Sequence, residues 1–252
     1  MDALTRLFEP GHALGLLAWS PPDGWGQVFA IGLLHSMEVA VGAYALGLVI
    51  GIIGAFSKLY GGEILRDLFS VYTTVVRAVP ELVEILILFY LVPQLINSIL
   101  LSMGYDRITL PPLLVGIIVL GVVVGAYMTE VLRGAILAVP HGQIEAARAY
   151  GMPPVMIARR ITFPQMMANA IPGMANLWLN ATKDTALLAV IGFNELTLTT
   201  LQAAGTTKSY FLFFIAAGTL YMIISILSGR FFAALERWAR KGQPAVGRGG
   251  AI

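Results

Sequence analysis

Five apolar runs, each long enough to cross a bilayer, constrain this chain more than any other feature. They lie at about residues 28–56, 82–101, 110–132, 166–193 and 210–234. A spanning helix needs about 20 predominantly apolar residues. The runs lack the alternation of strands and are too long for them, so helices are expected. Composition agrees: 58% of the 252 residues are hydrophobic and 12% charged, and mean hydropathy is +0.80. Soluble domains hold about 25% charged residues. With no cysteine in the chain, disulfides and thiolate chemistry are excluded. The net charge of +2 gives no argument for nucleic acid. Residues 1–20 show no convincing cleavable signal, and no repeat of 20–50 residues is visible.

Basic residues orient the spans. Lys58, Arg66, Arg77, Arg133, Arg148, Arg159, Arg160, Arg230, Arg237, Arg240, Lys241 and Arg248 fall on one side if the runs alternate. Arg6, Arg107 and Lys208 fall on the other, and Lys183 lies within a span. The richer side is cytoplasmic by the positive-inside rule. The N-terminus is then outside and the C-terminus inside. A mixed segment over 63–79 reads as a cytoplasmic amphipathic lead-in to the second span. Residues 242–252, rich in Gly and Pro, are expected to be disordered.

Between spans three and four lies a polar island, residues 139–165, on the cytoplasmic side. Glu145 to Tyr150 can form a short helix that Gly151 ends with a left-handed cap, and Pro153-Pro154 permit a second helix to start. Ala146, Ala147 and Ala149 leave room for another protein to approach closely. Taken alone, composition favours an ordinary solvated loop.

Span four carries a polar stripe. At about 100° per residue, Asn169, Gly173, Asn176, Asn180, Lys183 and Asp184 share one arc of roughly 100°. Asp or Lys at mid-span costs about 2.5–3.5 kcal/mol on insertion scales, so this face must meet protein or a water-filled path. Asp184, Lys183, Asn180 and Asn176 are candidates for a translocation path; polar glue between helices is the competing reading. Glu81 and Glu84, at the start of span two, attract a cation or mark the water interface. Glu130 and Arg133 can neutralise one another at i,i+3. Gly47 and Gly51, like Gly121 and Gly125, have the spacing of close helix packing. No phosphate-binding loop, metal-ligand motif or catalytic set is visible, so the chain reads as neither enzyme nor ATPase.

The order Glu145-Ala146-Ala147, Gly151, Ile161 and Pro164 resembles the EAA signature of bacterial ABC-importer permease subunits. Further matches to the polar-amino-acid branch are Arg77-Ala78-Val79-Pro80-Glu81-Leu82-Val83, Ala126-Tyr127 through Glu130, Arg133-Gly134-Ala135-Ile136, Ala138-Val139-Pro140, Gly142-Gln143 and Lys183-Asp184-Thr185-Ala186-Leu187. Ala78 departs from the glycine of many relatives. Tyr72-Thr73-Thr74 most resembles the Q-type subunit of histidine, lysine-arginine-ornithine and opine importers. The resemblance covers roughly residues 30–235. It implies an all-α, multi-pass inner-membrane protein with the five-span type I importer permease fold. The expected layout is a periplasmic segment over 1–27, a permease domain over 28–237 with its coupling loop at 139–165, and a cytoplasmic tail over 238–252. It implies ATPase coupling through Glu145, Ala146, Ala147, Arg148, Gly151, Arg159, Arg160 and Pro164. The implied partners are an ATPase dimer that holds ATP and Mg, a second permease (homologous or self), a periplasmic substrate-binding protein and lipid. The implied cargo is polar amino acids, basic ones foremost, or opines. A secondary transporter or a membrane-embedded enzyme would need an inverted repeat or a catalytic set, and neither is evident.

Overall fold

Two glycine-bearing faces meet at the centre of the structure. The computed structural model describes residues 13–19 and 24–241; most of the N-terminal segment and residues 242–252 of the expected tail lie outside them. After a 3-10 turn, Ala13–Leu17, helix α1 runs Gly26–Tyr60 and α2 Glu63–Ala78. Helices α3 (Glu81–Ser102), α4 (Pro112–Leu137), α5 (His141–Ala149) and α6 (Pro154–Ile157) follow. A π-helical turn, Ala158–Thr162, leads into α7 (Phe163–Asp184), which continues as a 3-10 turn, Thr185–Ile191. Helices α8 (Leu196–Thr207) and α9 (Tyr210–Ala239) complete the chain, and no strand occurs among the described residues.

Helices α1 and α4 pack in parallel. A Cβ on Gly47 would lie 2.6 Å from Val124 Cγ1, and one on Gly121 would lie 2.7 Å from Leu46 Cδ2. Gly51 faces Met128, and Gly125 faces Ile50. The glycines therefore do more than share a spacing: each helix takes the other's side chains against its own backbone. Since residue numbers rise together along the contact, both helices end on the same side. At that end Lys58 Nζ lies 2.5 Å from Glu130 Oε1, and Arg133 Nη2 lies 2.8 Å from Glu130 Oε2. Lys58 and Arg133, both assigned to the cytoplasm, thus meet at one end of the bundle.

Four helices, α1, α3, α4 and α9, are each long and apolar enough to cross a membrane. The fifth crossing is a broken one. The segment Pro154–Ile191 qualifies only together with Leu196–Thr207, across a bend of 53°. Gly192, at φ +80°, makes the break, a left-handed conformation that suits glycine. Span four expected over 166–193 is therefore α7 plus a short turn, and α8 is a helix that the apolar runs did not reveal. The polar stripe is the reason: it makes α7 the least apolar of the spans.

The lead-in over 63–79 is helical, but it does not lie free in the cytoplasm. Tyr72 Oη of α2 donates a hydrogen bond to the Val122 carbonyl, and Phe69 faces Gly54. Phe69, Tyr72 and Thr73 turn toward α1 and α4, while Ile64, Leu65, Leu68, Val71 and Val75 stay exposed. The consequence is that α3 begins well inside the bundle. Ile85, in its first two turns, packs with Val39 and Ala43 near the middle of α1, Val119 in the outer half of α4 and Leu188 of the 3-10 turn after α7.

Candidate functional site

Because α2 re-enters the bundle, it carries the Val79-Pro80 break inward. Pro80 cannot continue α2, and its fixed φ suits the N-cap of α3. Glu81 and Glu84 occupy the first turn of α3, where the helix dipole favours carboxylates. Glu84 is 7% exposed, and its Oε2 has no hydrogen-bond partner among the described residues. The reading of these acids as markers of the water interface is corrected for Glu84: the re-entrant α2 has taken it into the protein.

Asp184, the last residue of α7, stands in the electrostatic field of the Glu81 carboxyl. Tyr127 of α4 stands among Glu81, Glu84, Asp184 and Arg77. The Arg77 guanidinium carbon lies 5.9 Å from the centre of the Tyr127 ring, a cation–π arrangement. Three carboxyls, one phenol and one guanidinium thus converge from four helices. Lys183 and Asn176 are exposed and Asn180 is half-buried. Gly173, from the same stripe, faces Val131 of α4, so that part of the stripe is helix packing.

Sequence reading did not single out Arg77 and Tyr127 as site residues. Their signal was present only inside longer motif matches. Glu195 stands at the start of α8. It is fully buried and caps α8, accepting from Thr197 N and Leu198 N at 2.8 Å each. Ser36 Oγ of α1 and Tyr221 Oη of α9 donate to it at 3.3 and 3.1 Å. Glu130 is likewise structural: besides Arg133 it holds Lys58, which also donates to Thr73 Oγ1 at 2.9 Å. Those bonds tie α1, α2 and α4 together.

The cytoplasmic segment combines an exposed face with a cavity wall. Helix α5 ends at a left-handed Gly151, φ +73°. Met152 N donates to Ala147 O at 3.0 Å and Gly151 N to Arg148 O at 2.9 Å, the pattern of a Schellman cap. Pro153 then caps α6, with Pro154 in its first turn. Gly142, Glu145, Ala146, Ala149 and Tyr150 are exposed together, at spacings that make one helical face. His141, Ile144 and Arg148 line a cavity of about 960 Å³ beside that face. Ala147 is buried. Arg159 and Arg160 are exposed on the π-helical turn, and Pro164 is exposed at the start of α7. The eight residues expected to couple are close in sequence, and Arg148, exposed one turn from Glu145, also reaches the cavity.

Gln165 of α7 donates a side-chain hydrogen bond to Gln143 of α5. Helix α7, 22 residues long and so about 33 Å, begins at this contact and ends at Asp184. One element joins the exposed cytoplasmic face to the acidic cluster.

A family model described as the binding-protein-dependent transport system inner membrane component matches residues 47–241. The chain is 42% identical over 231 residues to the nopaline transport system permease protein NocQ of Agrobacterium fabrum, covering 91% of this chain and 98% of that protein. It is 39% identical over 214 residues to the histidine/lysine/arginine/ornithine transport system permease protein HisQ of Escherichia coli, covering 85% and 94%. Among solved structures it resembles an amino acid ABC transporter with histidines, at a TM-score of 0.71 and 27% identity, over 84% of this chain and 94% of that one. The MetNI methionine ABC transporter, 18% identical, shares the fold at a TM-score of 0.68.

Proposed function

The chain belongs to the inner-membrane component family of binding-protein-dependent transport systems, the permeases of ABC importers, and from that premise we propose that its cargo is a basic amino acid or an opine. The observation that carries this reading is the convergence of Glu81, Glu84 and Asp184 around Tyr127. A substrate cation arriving there meets carboxyls and a buried acceptor, Glu84 Oε2, that lacks a donor, and it competes with Arg77 for the face of Tyr127. Buried acceptors left unpaired cost about 1–3 kcal/mol, so a guanidinium or ammonium is well matched to the site. Lys183, Asn180 and Asn176 continue the polar stripe along α7 and line the approach. The names of relatives point the same way, toward nopaline and toward histidine, lysine, arginine and ornithine.

ATP, with Mg, is hydrolysed on a separate ATPase dimer. Residues 28–237 act as the permease domain, and the segment 139–165 receives the motion. The exposed face of α5, Glu145 with Ala146 and Ala149, docks in the ATPase, with Gly151, Arg159, Arg160 and Pro164 beside it and Ala147 as its packed base. Closure of the ATPases moves α5, and the Gln143–Gln165 contact passes that motion to α7 and so to Asp184. ATP drives the switch only by favouring one state over the other. A second permease, homologous or identical, completes the path, and a periplasmic binding protein delivers the cargo. Uptake of labelled arginine into cells carrying the full system, in competition with histidine, glutamine, nopaline and octopine, tests the cargo. Competition by the basic amino acids or opines and not by glutamine is expected; glutamine as the strongest competitor would contradict it.

A further inference from the structure

His141, Ile144 and Arg148 of α5 close a cavity of about 960 Å³ with the cytoplasmic ends of α1, α4 and α7. Its wall is apolar, with Leu59, Leu137, Ile144 and Phe163 among the lining, while its charged lining is Arg148, beside His141. No carboxylate is among its lining residues. Leu137 and Phe163 are more than half exposed, so the cavity opens outward rather than being sealed. Its apolar wall offers water few hydrogen-bond partners. The occupant must bring apolar chains and an anionic group, at the level where spans leave the cytoplasmic leaflet. That leaflet carries anionic lipids, and basic pockets between spanning helices bind their headgroups.

We propose that this cavity seats the acyl chains of an anionic phospholipid whose headgroup phosphate is held by Arg148. The lipid then stands as a filler against the coupling helix, beside its exposed face. The inference rests on family membership and on the cytoplasmic placement of α5, not on the nature of the cargo.

The test uses the intact transporter in vesicles, with Phe163→Trp as a fluorescent reporter and the parent transporter subtracted. Brominated phosphatidylglycerol and brominated phosphatidylcholine are compared as quenchers at equal mole fraction. One arginine near an anionic surface is worth about 1 kcal/mol, so phosphatidylglycerol should be favoured about fivefold at the reporter. Adding Arg148→Gln should bring the two lipids to equality. Equal quenching without that substitution would mean ordinary bilayer contact and overturn the proposal. So would quenching by neither lipid, which would mean that protein fills the space, or a preference that survives Arg148→Gln. Cargo selectivity is measured separately in the same vesicles, so failure of the lipid site and failure of the cargo reading are told apart.

Discussion

Glu84 and Glu195 are both buried acids, yet they have opposite surroundings. Glu195 accepts from two backbone amides and two hydroxyls drawn from α1, α8 and α9; Glu84 keeps one oxygen without a partner. The first is a fastening, the second is available. Replacing Glu195 by Ala removes hydrogen bonds to a charged group, each worth about 1.5–3 kcal/mol. Thermal unfolding of the purified transporter should shift clearly downward, and an unchanged midpoint would mean that the network holds nothing. The period of α7 made Asp184 legible as part of a polar face. It did not reveal what the face meets, because a helical period gives direction and no partner. The capping role of Glu195 was not legible either, because nothing in the Gly192-Phe193-Asn194 turn announces that α8 follows.

At the scale of elements, the lengths and order of α1, α3, α4 and α9 were readable because each is a long apolar run bounded by charge or proline. The inward course of α2 was not, since a mixed amphipathic segment fits a membrane surface as well as a groove between helices. That one element decides the site, because it sets where Glu81 and Glu84 begin. The coupling segment was more legible: its helix and its left-handed Gly151 follow from local residue chemistry alone. Its contact with the cavity was not, as Arg148 differs from its neighbours only in what lies beside it. Glu145→Lys reverses a charge on the exposed face, and Gly151→Asp strains the φ +73° position. Either change should uncouple ATP hydrolysis from uptake or prevent ATPase assembly; normal assembly and uptake in both would contradict the docking role. The α1–α4 contact makes a separate prediction. A Cβ at Gly51 would lie 2.4 Å from Met128 Cγ, so Gly51→Val should sharply lower the amount of chain in the membrane. Gly134→Ala, where a Cβ meets nothing within 4 Å, should not, and equal losses would mean that the glycine contact is not the cause.

For the whole molecule, the parallel α1 and α4 form a fixed frame against which α7 links two distant places. Its inner end touches α5 through Gln165, and its outer end carries Asp184 beside Glu81. On the proposed function, force and recognition meet on one helix, with the π-helical turn at residues 158–162 just before it. Turns of this kind locally loosen a helix and recur at functional sites. Uptake of labelled arginine and ATP hydrolysis, measured together in vesicles holding the assembled transporter with Asp184→Asn, test this arrangement most directly. Loss of one charge-assisted hydrogen bond, about 1.5–3 kcal/mol, predicts arginine uptake lower by about tenfold or more, with the ATPase still assembled. Unchanged arginine uptake in that variant would contradict the account, for it would leave α7 without a substrate at its end.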